Sequence, residues 1–188
     1  MRWLSIVLTA SLFACSGVPD VDSSDEELAK APMENFHKVR AGLYRGGHPS
    51  TAGVAFLKKI GVKTIVDLEV GDFIEATPWS ISDELSDAKA QKITVLRYPM
   101  SALEPAVSDD FDHMMDTIMS KLDDTSLMPI YVHCAHGQDR TGLVVALERV
   151  IDEGWTPKAA HAEMLKLGFH PIFEGLNHYF EEKTGFED

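Results

Sequence analysis

Positive charge is scarce in this chain. Its 188 residues carry 17 Lys and Arg against 30 Asp and Glu, a formal net charge of −13. A nucleic-acid surface depends on clustered lysine and arginine, and no such cluster occurs, so that partner class is excluded. Cysteine is scarcer still, with only Cys15 and Cys134, which rules out a disulfide framework. No apolar run is long enough to span a bilayer as a mature helix; the one from Trp3 to Phe13 has the length of a signal-peptide core. There is no internal repeat. His133, Cys134 and His136 lie close together, but no second ligand pair at metal spacing follows them. Neither a metal nor a cofactor is expected.

A hydrophobic share of 45% with 25% charged residues fits one globular domain. Ahead of it, Arg2 is a minimal basic start, the apolar run follows, and Leu12-Phe13-Ala14-Cys15 closes it. This resembles the lipobox of bacterial lipoproteins, although Phe13 is larger than the residue usual at its position. The resemblance implies a signal peptide at 1–14, cleavage before Cys15, and a diacylglycerol on the Cys15 thiol. The protein would then be exported from a bacterial cytoplasm and held on the periplasmic side of a membrane, the outer one. An ordinary secretory peptide cut nearby is the alternative. With Cys15 consumed, Cys134 has no intramolecular partner, and an exported free thiol is an oxidation liability that favours a chemical role. Residues 15–34, polar and acidic, read as a disordered tether, and 35–188 as the folded domain.

Strand and helix patterns alternate through that domain. Phe36 to Tyr44 suits an edge strand or hairpin, and Lys63 to Leu68, Ile93 to Tyr98 and Pro129 to Cys134 read as strands. Ser50 and Ser108 are N-cap candidates, Gly61 and Gly168 are stops, and Pro157 opens a helix. The helix over Ile81 to Gln91 takes Leu85 and Ala88 as its apolar marks. In the next, Phe111, Met114, Met115, Ile118, Met119 and Leu122 share one face. The expected fold is α/β, with a mostly parallel central sheet of four to five strands flanked by helices.

The chemistry concentrates in His133-Cys134-Ala135-His136-Gly137-Gln138-Asp139-Arg140-Thr141-Gly142. A cysteine leaves a buried strand, and a helix is expected from Thr141. Between them, the backbone N–H groups of Ala135, His136, Gly137, Gln138, Asp139 and Arg140 can converge on one concavity, with a helix N-terminus behind it. Gly137 permits a turn that a side chain would hinder, and Arg140 offers a two-pronged fork to phosphate oxygens. The same field favours a thiolate at Cys134, set for in-line attack on phosphorus. Arg45 with Asp67 reads as a buried pair, and His48 and Arg97 as candidates for the site wall.

His133-Cys134-x5-Arg140-Thr141 resembles the H-C-x5-R-[S/T] signature of the cysteine-dependent protein tyrosine phosphatase superfamily. Leu43-Tyr44-Arg45-Gly46-Gly47-His48-Pro49-Ser50 and Lys63-Thr64-Ile65-Val66-Asp67-Leu68 are similar to its small dual-specificity branch. The resemblance implies Cys134 as nucleophile, Arg140 as phosphate ligand, Thr141 as a hydroxyl assisting turnover, and His133 as support for the loop. The family also places an aspartate as general acid on a loop roughly thirty residues before the cysteine. Here that loop, Pro99 to Val107, has no aspartate, and Glu104 is its only acid. Glu104 ranks first as proton donor. Asp139 ranks second, by similarity to myotubularin-like and other lipid phosphatases, and Asp109 or Asp110 third.

The form H-C-x-x-G-x-D-R-T is similar to bacterial phosphatases accepting phosphoinositides as well as phosphotyrosine, and the fold is shared with tyrosine-phosphatase-like phytases. The reading leans to inositol (poly)phosphates, with a phosphotyrosine or dual-specificity protein phosphatase as the alternative. The substrate is thus a small anionic phosphate ester or a phosphoprotein. The rival of another class is a pseudophosphatase that binds such esters without turning them over.

Overall fold

The structure is a computed structural model that describes residues 24–71, 80–103 and 108–187. Five strands, β1 (His37–Arg40), β2 (Leu43–Gly46), β3 (Thr64–Asp67), β4 (Thr94–Arg97) and β5 (Ile130–His133), form one sheet in the order β1-β2-β5-β3-β4. Only the β1–β2 pair is antiparallel. The α/β expectation with a mostly parallel sheet is therefore met. The helices are α1 (Asp25–Leu28), α2 (Thr51–Lys59), α3 (Ile81–Ala90), α4 (Asp109–Leu122), α5 (Asp139–Ile151), α6 (Pro157–Lys166) and α7 (Glu174–Thr184).

The side-chain period of two decides what each strand offers to each face. In β5, Ile130 and Val132 enter the core formed with α4 to α7, whereas Tyr131 joins Tyr44, Ile65, Val54, Leu57 and Ala88 beneath α2 and α3. Burial on both faces explains why Pro129 to Cys134 reads as a continuous apolar run. The connections after β2 and β3 cover one face, and α5 covers the other. The C-terminal end of β5 thus opens at a topological switch point, where ligand crevices form in open α/β sheets.

Local chemistry sets most helix ends. Ser50 Oγ accepts from the Gly53 N–H at 3.3 Å, Ser108 Oγ from Phe111 at 3.2 Å, and Thr156 Oγ1 from Ala159 at 3.3 Å. Two boundaries differ from the sequence reading. Helix α5 begins at Asp139, two residues before Thr141, with Gln138 as N-cap, because the turn closes tightly enough for Gly142 N to reach Gln138 O at 2.8 Å. Part of the stretch assigned to the tether is ordered: Asp25–Leu28 is helical, Met33 is buried against α2, and Glu34 O accepts from Gly47 N at 2.8 Å. The signal segment, Cys15 and the rest of the tether up to residue 23 lie outside the described residues.

Candidate active site

Cys134 follows β5 directly and is a buried free thiol. Around it, peptide carbonyls are drawn outward one after another. His133 Nδ1 lies 3.4 Å from the Cys134 oxygen. The His48 backbone N–H donates to Ala135 O at 3.0 Å. The Gly137 oxygen accepts from Arg45 Nη2 at 2.6 Å and from Asn35 Nδ2 at 2.7 Å. Because carbonyl and N–H point oppositely across a planar peptide, carbonyls braced outward leave the following N–H groups facing inward. That is the anion concavity expected of the segment.

Gly137 is the position where this turn tolerates no other residue. Its φ is +68°, and a Cβ would lie 2.3 Å from the Gly46 carbonyl carbon and 2.6 Å from Gly47 N, both backbone atoms that cannot swing aside. The Gly46-Gly47 pair after β2 is therefore the surface against which the cradle packs. Tyr131 reinforces it by donating its hydroxyl to Gly47 O at 2.6 Å.

Arg140, in the first turn of α5, is 7% exposed, and its Nη1 faces the backbone oxygens of Leu68 at 3.3 Å and Met100 at 3.5 Å. The loops after β3 and β4 thus hold the guanidinium. Thr141 is wholly buried, and its hydroxyl has no hydrogen-bond partner among the described residues. Gln138 packs on Gly168, and the exposed His136 pairs with Glu34 at 2.9 Å.

Arg45 and Asp67 do not pair, which corrects the sequence reading. Strand β5 lies between β2 and β3, so the two residues are two strands apart, and they sit on opposite faces. Arg45 registers with Val132, whereas Asp67 registers with His133 and Arg97. Arg97 Nε donates to Asp67 Oδ2 at 2.6 Å and Nη2 to Glu69 O at 3.0 Å. Arg45 is 1% exposed and makes no ion pair among the described residues; burial lowers its pKa to about 10, still well above neutrality. It therefore adds a fixed positive charge next to the cradle.

The acid candidates fall in different places. Glu104 lies outside the described residues. Asp139 Oδ1 accepts from His170 N at 2.8 Å and lies 3.0 Å from His170 Nδ1, which ties the loop before α7 to the start of α5. Asp109 and Asp110 are exposed in the first turn of α4, where negative charge favours the helix dipole.

Behind the cradle is a buried cluster that sequence reading missed: His48, Glu69, Glu84 and His133. His48, a candidate for the site wall, is instead turned inward, its Nδ1 2.7 Å from Glu69 Oε1. The four residues offer donor atoms within 4.8 Å of one another. The two nitrogens of His133, however, face different carboxylates, Nε2 to Glu84 at 3.2 Å and Nδ1 to Glu69 at 3.5 Å. The carboxylates therefore flank the ring instead of converging on one point as metal ligands would.

A family model described as "DSP-PTPase phosphatase fused to NAD+ Kinase" matches residues 16–171. The chain belongs to this dual-specificity phosphatase family. It is 28% identical over 186 residues to the dual specificity protein phosphatase TpbA of Pseudomonas aeruginosa strain UCBPP-PA14, covering 90% of this chain and 74% of that protein. To inositol diphosphatase DSP4 of Arabidopsis thaliana it is 29% identical over 173 residues, covering 85% and 84%. The crystal structure of P. aeruginosa TpbA superposes with a TM-score of 0.64 at 26% identity, over 79% of this chain and 84% of that one. The catalytic core of the PP-IP phosphatase SIW14 from S. cerevisiae shares the fold, with a TM-score of 0.63 at 21% identity over 81% and 89%. The enzyme is a phosphatase.

Proposed function

We propose that the enzyme hydrolyses phosphate monoesters through a phosphocysteine at Cys134. The observation that carries this reading is the set of outward-braced carbonyls of Cys134, Ala135 and Gly137 around a buried thiol, with Arg140 opening the next helix. The Cys134 sulfur attacks phosphorus, the phosphorus–oxygen ester bond breaks opposite to it, and the leaving oxygen takes a proton from Glu104. Water then attacks the phosphocysteine and releases inorganic phosphate, with the Thr141 hydroxyl next to the sulfur. The N–H groups from Ala135 to Arg140, together with Arg140, hold the equatorial oxygens throughout.

The substrates are inositol (poly)phosphates. The Arabidopsis inositol diphosphatase, similar over most of its length, supports this. A second reading, an aryl phosphate such as phosphotyrosine, has its own observation. Leu103 is 85% and Ile172 82% exposed at a cavity of about 430 Å³ that also borders Ala102 and Phe173. This cavity adjoins Met100, whose oxygen faces Arg140, and TpbA has been crystallised in complex with phosphotyrosine. At its N-terminus the protein is anchored by lipid on Cys15 to the periplasmic side of the membrane.

Phosphate release from phytate, phosphoinositides and a phosphotyrosine peptide, each with wild type and Cys134→Ser, tests the reading. Hydrolysis lost in Cys134→Ser, with a phosphoryl group on Cys134 in acid-quenched wild type, is the expected result. Tight ester binding without any phosphoenzyme would make the protein a pseudophosphatase.

A further inference from the structure

The alternation along β5 sends the Cys134 side chain towards α5 and that of His133 to the opposite face, beneath α3. On that helix Ile81, Glu84 and Ala88 are the buried positions, so a carboxylate occupies a site where periodicity calls for an apolar residue. A buried carboxylate is costly unless paired, and Glu84 Oε1 lies 3.2 Å from His133 Nε2.

The other ring nitrogen also faces acceptors. His133 Nδ1 is 3.5 Å from Glu69 Oε1 and 3.4 Å from the Cys134 carbonyl oxygen. A neutral imidazole has one N–H and one lone pair, and in either tautomer that lone pair would point at a carboxylate. Only an imidazolium, donating on both sides, satisfies this geometry.

The charged and titratable groups around the ring come from several elements. They are Glu84 on α3, Glu69 after β3, His48 after β2, Asp67 at the end of β3, with Tyr131 stacked at 5.6 Å between ring centroids. Burial alone would lower the His133 pKa, but Glu84, Glu69 and Asp67 outweigh it and raise the value well above 6.5. Burial would likewise raise Glu69, yet hydrogen bonds from His133 and His48 hold it well below the usual carboxylate range.

We propose that Glu84 is a positioning residue of the phosphatase centre, which acts through His133 to fix the first peptide of the cradle and to keep a positive group behind Cys134. The inference rests on the reading of Cys134 as nucleophile. Glu84 holds the Nε2 proton, so Nδ1–H is directed at the Cys134 carbonyl, and the Ala135 N–H is turned into the cradle. Without that carboxylate the ring keeps only the Glu69 side, which Glu69 shares with His48 at 2.7 Å.

Glu84→Gln in the full chain is the discriminating variant, since glutamine keeps the size and an acceptor but not the charge. For an aryl phosphate kcat should fall about tenfold with KM changed less than about twofold, and the acidic limb of Cys134 alkylation by iodoacetamide should move up by about one pH unit. A purely structural role would instead be rescued by glutamine. Unchanged kcat and alkylation profile in a folded Glu84→Gln protein would overturn the proposal. Histidine-selective nitrogen NMR of wild type gives a second check that needs no variant. Both His133 ring nitrogens should carry protons at pH 8, and a singly protonated ring defeats the idea. Hydrolysis persisting in Cys134→Ser would sink the nucleophile reading instead, while leaving the NMR result as it stands.

Discussion

Arg45 Nη2 donates to the Gly137 carbonyl at 2.6 Å from a position that solvent scarcely reaches. It is the second brace on that oxygen beside Asn35, and its Nε has no hydrogen-bond partner among the described residues. A buried guanidinium without a carboxylate adds little to stability, because its desolvation offsets what its hydrogen bond contributes. Its value lies in the reaction, where it orients a cradle peptide and adds positive charge next to the thiol.

Arg45→Met should therefore separate activity from stability. We expect kcat/KM for an aryl phosphate to drop about tenfold or more, and unfolding free energy to change by no more than about 1 kcal/mol. Urea denaturation alongside steady-state kinetics checks this. A variant with wild-type kcat/KM would show that Arg45 is only packing.

The two leading acid candidates are separable by amide substitution. Asp139 Oδ1 serves as an acceptor for His170, and asparagine retains such an oxygen, so Asp139→Asn should keep kcat within about fivefold and preserve the basic limb of the pH–rate profile. Glu104→Gln removes the proton and should lower kcat by about a hundredfold for a poor leaving group, abolishing that limb. Reversal of the two outcomes would assign the proton to Asp139.

Apolar runs and turn chemistry made the sheet legible. β3 and β5 are short, apolar and bounded by turn residues, and the caps at Ser50 and Ser108 follow from hydroxyls ahead of periodic stretches. The cradle was legible for the same reason, since its chemistry is local to ten consecutive residues. Strand order was not, and this misassigned Arg45: adjacency of β2 and β5 is a long-range fact that nothing near Arg45 encodes. Glu84 was hidden by its type. Leu85 attracts the apolar assignment, yet it is 38% exposed and Glu84 is buried one position earlier. Ile81 and Ala88, three residues before and four after Glu84, already mark its face as the buried one. A charge on that face is the signal to look for.

Lipid attachment is checked by expressing the full chain in a bacterium with labelled palmitate. Label and protein should travel together in the membrane fraction, and Cys15→Ser should lose both. Label retained by Cys15→Ser would exclude that thiol as the lipid site. Labelled Cys134→Ser is the matched control.

Far from the cradle, Glu148 on α5 is buried, with Arg40 Nε at 2.5 Å and Asp123 and Asp152 close by. Burial raises its pKa to about 7 from 4.5; the Arg40 hydrogen bond opposes the rise, and the two aspartates add to it. Between those values the folded protein binds more protons than the unfolded chain, so stability falls as pH rises. This contribution is fully present below about pH 4.5 and lost as pH passes about 7. Glu148→Gln, which stays neutral, removes the linkage, so its thermal midpoint should change less than that of wild type from pH 5 to 8. The difference in slope should amount to about 1–2 kcal/mol across the window. Parallel pH profiles for the two proteins would show that Arg40 keeps Glu148 ionised throughout.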